Sequence, residues 1–115
     1  MLRRGQVWLA DLNPSRGTEP GKTRPVLIVQ SQALLDASHP STLVIPLTTI
    51  LVKDAEPLRI RVAATDKLRR DSDLIDQLRS IDNERLIQGP LCQLTQPLMS
   101  RVEIAIREVL DMDEG

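Results

Sequence analysis

Aromatic side chains are almost missing from this 115-residue chain, which has Trp8 but no phenylalanine and no tyrosine. The hydrophobic core must therefore be aliphatic, and apolar residues make up 41% of the chain, which is enough to form one. A nucleic-acid site built from several stacked aromatic platforms is excluded for the same reason.

Histidine and cysteine each occur once, as His39 and Cys92. This count excludes an acid–base pair of two histidines within the chain, and it excludes the Cys/His zinc sites. A single cysteine forms no intrachain disulfide, which favours a reducing, cytoplasmic location. His39 lies in the polar turn at residues 37–40, so a solvated loop residue is favoured over a catalytic one.

Long apolar runs are also absent. No stretch approaches the ~20 residues of a membrane helix, so we expect no membrane association. No apolar signal core follows the first six residues, so export is not expected. The length suits one compact domain, and we expect residues 1–115 to form it.

The net charge of −1 is distributed unevenly. Residues 1–31 contain five basic and two acidic side chains, whereas residues 101–115 contain two basic and five acidic ones. A globally basic surface is excluded, but a local basic surface near the amino terminus is compatible with this pattern.

Apolar runs separated by turn residues predict a series of short strands. Pro46 cannot donate to a ladder, which predicts an edge or a bulge at that position. Short helical turns are expected at 32–37 and 83–87, and Gly89-Pro90 is expected to end the second. The predicted strands are 6–12, 25–29, 42–48, 58–62, 73–82 and 91–94.

The end of the chain has the strongest helical pattern. Thr95 can cap a helix whose first turn tolerates Pro97. One apolar face then follows at helical spacing. Its members are Leu98, Val102, Ala105, Ile106, Val109 and Leu110. Together the elements predict a mostly β fold with helical additions, a compact barrel with a C-terminal amphipathic helix.

Candidate chemistry concentrates in the polar segment 13–24 and the strand after it. Glu19, Lys22 and Arg24 directly precede the apolar run PVLIV, so a rigid element would hold them. On physical grounds alone, a solvated hairpin loop with incidental charges is the favoured interpretation. The hydroxyls of Thr48 and Thr49 end another strand and could bond a phosphate oxygen, although threonine is also an ordinary strand residue.

Two Asp-x-Asp pairs, Asp71/Asp73 and Asp111/Asp113, are interpreted as solvated charges. Nothing near them in the sequence supplies the remaining ligands of a catalytic metal site. We therefore expect neither a metal nor another cofactor.

Three motifs occur in a specific order along the chain: GTEPGKTRP, then PLT, then DQLRSID. With the opening RRGQVWLADLNPSR, they make the chain resemble the MazF/PemK family of toxin endoribonucleases over nearly its whole length. The resemblance implies an SH3-like barrel of the MazF/CcdB type, a homodimer and metal-independent cleavage of single-stranded RNA. It also implies a type II toxin–antitoxin system, with an antitoxin that carries an acidic C-terminal tail. DNA would be contacted only indirectly, through the antitoxin complex.

Site residues follow from the same motifs. The resemblance assigns catalytic roles to Arg24 and Thr48, and it places Glu19 and Gln77 near the RNA groove. RNA carries its own nucleophile, the 2′-hydroxyl, so Arg24 is interpreted as the main transition-state stabiliser and Thr48 as a second donor. Glu19 is the candidate acceptor of the 2′ proton. The side chains proposed to bind flanking phosphates are Arg16, Lys22 and Arg79.

Two other functions remain open at this stage. A non-enzymatic toxin of the CcdB type shares this fold and inhibits DNA gyrase, but such proteins end in Trp-Gly-Ile, whereas this chain ends in DMDEG. The third possibility is an RNA-binding module that has lost turnover.

Overall fold

The computed structural model describes residues 1–13, 22–51, 59–74 and 77–112. These residues form seven strands, two α-helices and one 3-10 turn. In chain order they are β1 (Gln6–Asp11), β2 (Thr23–Ile28), α1 (Gln32–Asp36), β3 (Ser41–Thr48), β4 (Ile60–Val62), β5 (Ser72–Leu74), β6 (Arg79–Asp82), the 3-10 turn Asn83–Arg85, β7 (Leu86–Gln93) and α2 (Gln96–Val109).

The strands form one antiparallel sheet in the order β4-β5-β3-β2-β1-β7, and β6 also pairs with β3. Strand β3 therefore has neighbours on both edges: β2 on one, and β6 followed by β5 on the other. The predicted fold class, mostly β with a C-terminal helix, is confirmed.

Alternation along the strands gives the sheet two apolar sides. The α2 side carries Val7, Leu27 and Leu47, which belong to the same cluster as Met99 and Val102 of α2. The opposite side, called the far side here, contains a second cluster of six buried residues. They are Ala10, Leu12, Val26, Ile28, Val44 and Ile81.

Helix α2 begins as predicted. Thr95 Oγ1 accepts a hydrogen bond from the Leu98 N–H at 3.4 Å, and Pro97 lies in the first turn. The last two members of its predicted apolar face, Val109 and Leu110, are 41% and 49% exposed. Neither side chain belongs to an apolar cluster of the described residues.

Two predictions about the middle of the chain need correction. The single strand expected at 73–82 is divided into β5 and β6, which pair with different parts of β3. Pro46 lies in an interior strand rather than at an edge. It falls between Val44, the last residue that pairs with β6, and Leu47, the first that pairs with β5, so its missing N–H coincides with the break in that ladder. The predicted strand start at Leu58 lies outside the described residues.

Gly89-Pro90 does not end the helical turn as predicted. The turn ends at Arg85, and β7 continues through Gly89-Pro90 with a cis peptide bond. Proline is tolerated there because β7 ends the strand order, and its pairing with β1 is irregular. Gly89 is required by a close approach, because a Cβ at this position would clash with the ring of Trp8. The ring of Trp8 therefore lies directly against the backbone of β7.

No helix among the described residues has the length and apolar character needed to cross a membrane.

Leucine-to-alanine substitutions on neighbouring strands test the burial assigned to Leu27 and Leu43. Leu27 is fully buried in β2, so Leu27→Ala should cost about 2–4 kcal/mol of unfolding free energy through lost burial and a residual cavity. The matched control is Leu43→Ala in β3, where the side chain is 40% exposed and the loss should stay below about 1 kcal/mol. Chemical denaturation measures both, and equal losses would contradict the assignment.

Candidate active site

The base of the β1–β2 connection is held by side-chain hydrogen bonds. Asn13 Oδ1 accepts from the Lys22 N–H at 2.7 Å, and the Lys22 carbonyl accepts from the Leu12 N–H at 2.9 Å. Arg85 donates from Nη1 to the carbonyl oxygens of both Asp11 and Asn13. These bonds define where the polar connection leaves the sheet and where it returns. Residues 14–21 lie outside the described residues, and with them two predicted site residues, Arg16 and Glu19.

Arg24 lies inside strand β2. This strand begins at Thr23, two residues before its predicted start. It pairs with Ala10 of β1 and is half-buried. Because side chains alternate along a strand, Arg24 shares the far side of the sheet with Val26 and Ile28. Arg24 therefore belongs to a paired strand and not to the connection that precedes it.

Thr48 and Arg24 lie on the adjacent strands β3 and β2. Val26 opposite Pro46 is the last pair of this ladder, and the same register continued by two residues would set Arg24 across from Thr48. Both side chains fall on the far side, since Thr48 alternates with Leu47 of the α2 side. Directly opposite residues of antiparallel strands have Cα atoms about 4.5–5.5 Å apart. The guanidinium and the hydroxyl can therefore contact one small anionic group together.

The hydroxyl of Thr48 is fixed in a specific role. Its Oγ1 accepts a hydrogen bond from the Ile50 N–H at 3.2 Å, and the residue is 7% exposed. A hydroxyl has one proton to donate besides its acceptor positions. The backbone thus uses one acceptor position of Thr48, and the hydroxyl can still donate its proton.

The far side continues with two charged residues that the sequence analysis did not select. Asp73 of β5 is opposite Thr48, and Arg61 of β4 is opposite Asp73. Arg61 Nε donates to Asp73 Oδ1 at 2.6 Å. Arg24, Thr48, Asp73 and Arg61 thus follow one another across four adjacent strands, and we call them the polar row.

The interpretation of Asp73 as a solvated charge is wrong. Asp73 is 2% exposed and forms an ion pair with Arg61. For Asp71 the interpretation is confirmed, because this residue is exposed, with Oδ1 accepting from the Ala64 N–H. Of the other pair, Asp111 is exposed and Asp113 lies outside the described residues.

Of the predicted RNA contacts Gln77 and Arg79, Arg79 pairs with β3 away from Thr48. Arg79 is opposite Val44, four residues from Thr48, which corresponds to about 13 Å along the strand. Both side chains are half-buried, and the pairing of Arg79 with Val44 places it on the far side. Lys22 is exposed and precedes Arg24 by two residues. The structure thus has Arg24 and Thr48 on the same side of adjacent strands and leaves Arg79 at a distance.

The remaining reactive side chains lie apart from the row. His39 is exposed, with Nδ1 2.8 Å from the Ser41 carbonyl oxygen, which agrees with its interpretation as a loop residue. Burial raises the pKa of the Cys92 thiol, so the thiolate is scarce near neutral pH. Neither group is arranged as a nucleophile, and the expectation that no metal or cofactor takes part stays a prediction.

With this geometry established, comparison with known proteins identifies the family. Residues 3–110 match the family described as PemK-like, MazF-like toxin of type II toxin–antitoxin system. The chain belongs to the PemK/MazF toxin family. It is 37% identical over 108 residues to the endoribonuclease MazF of Staphylococcus saprophyticus, with 92% of this chain and 88% of that protein covered.

Solved structures of other family members share the fold. Mycobacterium tuberculosis toxin MazF-mt6 superposes with a TM-score of 0.76 at 23% identity, covering 94% of this chain and 98% of that one. An endoribonuclease in complex with its cognate antitoxin from a mycobacterial species gives 0.70 at 21% identity, covering 97% and 95%. The predicted MazF-type fold and family are confirmed.

Sequence reasoning on this family member missed Arg61, Asp73 and Arg85. The alternation of residues 58–62 (LRIRV) separates Arg61 from the apolar residues of its strand, but nothing local shows that Asp73 faces it. Such a pair is produced by strand pairing between segments twelve residues apart. Arg85 was assigned only to a helical turn, and its carbonyl contacts are made 72 and 74 residues away.

The position of Arg24 near the start of β2 leads to a prediction about stability. Arg24→Ala should lower the unfolding free energy by no more than about 1 kcal/mol, since a half-buried residue near a strand end contributes little to the core. Thermal melting compares this variant with Ile28→Ala, which removes a fully buried side chain. An equal loss in melting temperature would identify Arg24 as a structural arginine.

Proposed function

We propose that this MazF-type toxin endoribonuclease cleaves single-stranded RNA without a metal ion, through attack by the RNA's own 2′-hydroxyl. The products are a 2′,3′-cyclic phosphate and a 5′-hydroxyl. The observation that supports the proposal is that Arg24 and Thr48 lie on the same side of two adjacent strands, β2 and β3. Membership in the PemK/MazF family supports the same activity.

Charge develops on the phosphoryl oxygens when the 2′ oxygen attacks phosphorus. The planar guanidinium of Arg24 can donate two parallel hydrogen bonds to these oxygens. Since β2 holds its backbone before substrate arrives, little reorganisation is needed in the transition state. A single preorganised donor of this kind contributes about 10²–10³-fold to the rate.

Thr48 supplies the second donor. The Ile50 N–H occupies one acceptor position of its oxygen, and the hydroxyl still has its proton to donate. We assign that proton to a phosphoryl oxygen.

Proton transfer requires a base for the 2′-hydroxyl. Arginine does not act as a free base near neutral pH, since its pKa exceeds about 12. Glu19 remains the candidate, on the family motif alone. Arg16, Lys22, Gln77 and Arg79 are proposed to bind the RNA on either side of the scissile phosphate.

The proposed partners are a second copy of the chain and an antitoxin with an acidic, extended tail. Family structures with an antitoxin bound support the second of these. A flexible acidic segment can occupy a phosphate-binding groove by presenting carboxylates in place of phosphates, folding as it binds. Exposed apolar side chains near the end of α2 support association of two copies. They are Val109, Leu110 and Met112.

Cleavage assays with defined RNA test the mechanism. Activity should persist in excess EDTA and should leave a 2′,3′-cyclic phosphate with a 5′-hydroxyl. DNA should not be cut, nor should RNA with one 2′-deoxy sugar at the scissile position, because both lack the nucleophile there. End-group analysis of the products decides this, and full cleavage of the 2′-deoxy substrate would contradict the mechanism.

Site variants test the two donors in the same assay. Arg24→Ala should lower turnover by about 10²-fold or more, and Thr48→Ala by a comparable or smaller factor. Arg24→Lys keeps the charge but loses the two-pronged geometry, so it should recover only part of the rate. Wild-type turnover in Arg24→Ala would remove the arginine from the mechanism, and inhibition of gyrase without RNA cleavage would favour the CcdB-type function.

Oligomeric state is measured independently of activity. Sedimentation velocity at micromolar concentration should show a dimer. A stable monomer at that concentration would contradict the proposed homodimer.

A further inference from the structure

Beyond Thr48, the polar row ends in an ion pair that the proposed mechanism does not use. Arg61 Nε lies 2.6 Å from Asp73 Oδ1, and Asp73 is directly opposite Thr48. The two partners differ sharply in exposure, with 3% of the Asp73 side chain and 45% of the Arg61 side chain open to solvent. The carboxylate is therefore part of the interior, whereas the guanidinium reaches the surface.

Stability alone does not account for this pair. Placing a carboxylate in the interior requires desolvation, and buried ion pairs are often no more stabilising than apolar residues of similar size. Apolar side chains occupy the other side of the same strands, where Ile60, Val62 and Leu74 are buried. An apolar residue at position 73 would avoid the cost of desolvating a carboxylate.

The geometry of the bond leaves Arg61 able to bind a ligand. The contact to Asp73 uses Nε, and the guanidinium carries further donors on its two terminal nitrogens. Because the bond at Nε restrains the plane of the group, these donors are held in a defined orientation. An exposed, oriented guanidinium matches a phosphate in charge and in shape.

We propose that Arg61 binds an RNA phosphate that flanks the scissile one, and that Asp73 is its positioning residue. This inference rests on the proposed RNA cleavage. Arg61 lies two strands from Thr48, a separation of about 10 Å at the usual interstrand spacing. It therefore lies beyond the scissile phosphate, in line with the polar row, and contributes to affinity rather than to the chemical step.

A salt titration of binding tests the contact. The probe is an RNA oligonucleotide that spans a cleavage site mapped with wild-type protein and carries one 2′-deoxy sugar at the scissile position. Kd is measured over a range of salt concentrations. Arg61→Gln should weaken binding about tenfold, as expected for a charge-assisted hydrogen bond, and should reduce the slope of log Kd against log salt by about 0.7, the value for one phosphate contact on a single strand.

Arg3→Gln is the matched control. It removes the same charge from an exposed position before the start of β1, away from the strand ends that carry the row, so its slope and Kd should equal those of wild type. In single-turnover cleavage at saturating protein, Arg61→Gln should stay within about threefold of wild type, whereas Arg24→Ala should not. This separates a binding contact from a group that acts on the reacting phosphate.

A double-mutant cycle tests the role of Asp73. Asp73→Asn keeps the size of the side chain but weakens its hold on Arg61, so Arg61→Gln should cost less affinity in that background than in wild type. If Arg61→Gln alone fails to fold, the double variant supplies the binding measurement, because its two amides keep a hydrogen bond without a buried charge. Arg61→Lys should retain the wild-type salt slope.

Several outcomes would overturn the inference. A folded Arg61→Gln protein with the slope and Kd of Arg3→Gln would show that Arg61 does not contact phosphate. Equal effects of Arg61→Gln in both backgrounds would remove the positioning role of Asp73. If wild type neither binds nor cleaves RNA, both the proposed function and this inference fail. The wild-type measurement distinguishes that result from one in which only the role of Arg61 is contradicted.

Discussion

Strand β3 pairs along both of its edges, and the position of every group in the polar row depends on that pairing. Its residues alternate between the two sides of the sheet, with Val44 in the far-side cluster and Leu47 in the α2-side cluster. A slip by one residue would exchange these sides and expose both clusters. Core packing thus determines the register, which pairs Thr48 with Asp73 and sets Thr48 on the same side of the sheet as Arg24.

The far side of the sheet changes character along its strands. Its middle is aliphatic and contains Val26 and Ile28, whereas the end that carries Arg24 is polar. The apolar part provides rigidity, and the polar part places donors on a backbone that cannot easily relax around them. Groups held in this way lower stability relative to apolar ones, which is the usual relation between an active site and the core that supports it.

Much of the fold was predictable because the apolar pattern of each strand reflects its own burial. The strands at 6–12, 25–29 and 42–48 and the helix capped by Thr95 were found within one or two residues, from signals contained in each segment. Partners of a strand are not encoded locally. For this reason the division into β5 and β6, the passage of β7 through Gly89-Pro90 and the burial of Asp73 were not predicted. The family motifs identified Arg24 and Thr48, but only the register showed how the row continues to Arg61.

The contact between Trp8 and Gly89 also determines which conformational changes intrinsic fluorescence can detect. With no tyrosine in the chain, intrinsic fluorescence comes from one indole, which lies against β7 and donates from Nε1 to Gln6 Oε1 at 3.0 Å. Its emission therefore follows the solvent contact of a single edge of the sheet. Detachment of β7 would shift the emission to longer wavelength while the rest of the sheet is intact. A rearrangement of β4 and β5, at the opposite end of the strand order, would leave the spectrum unchanged.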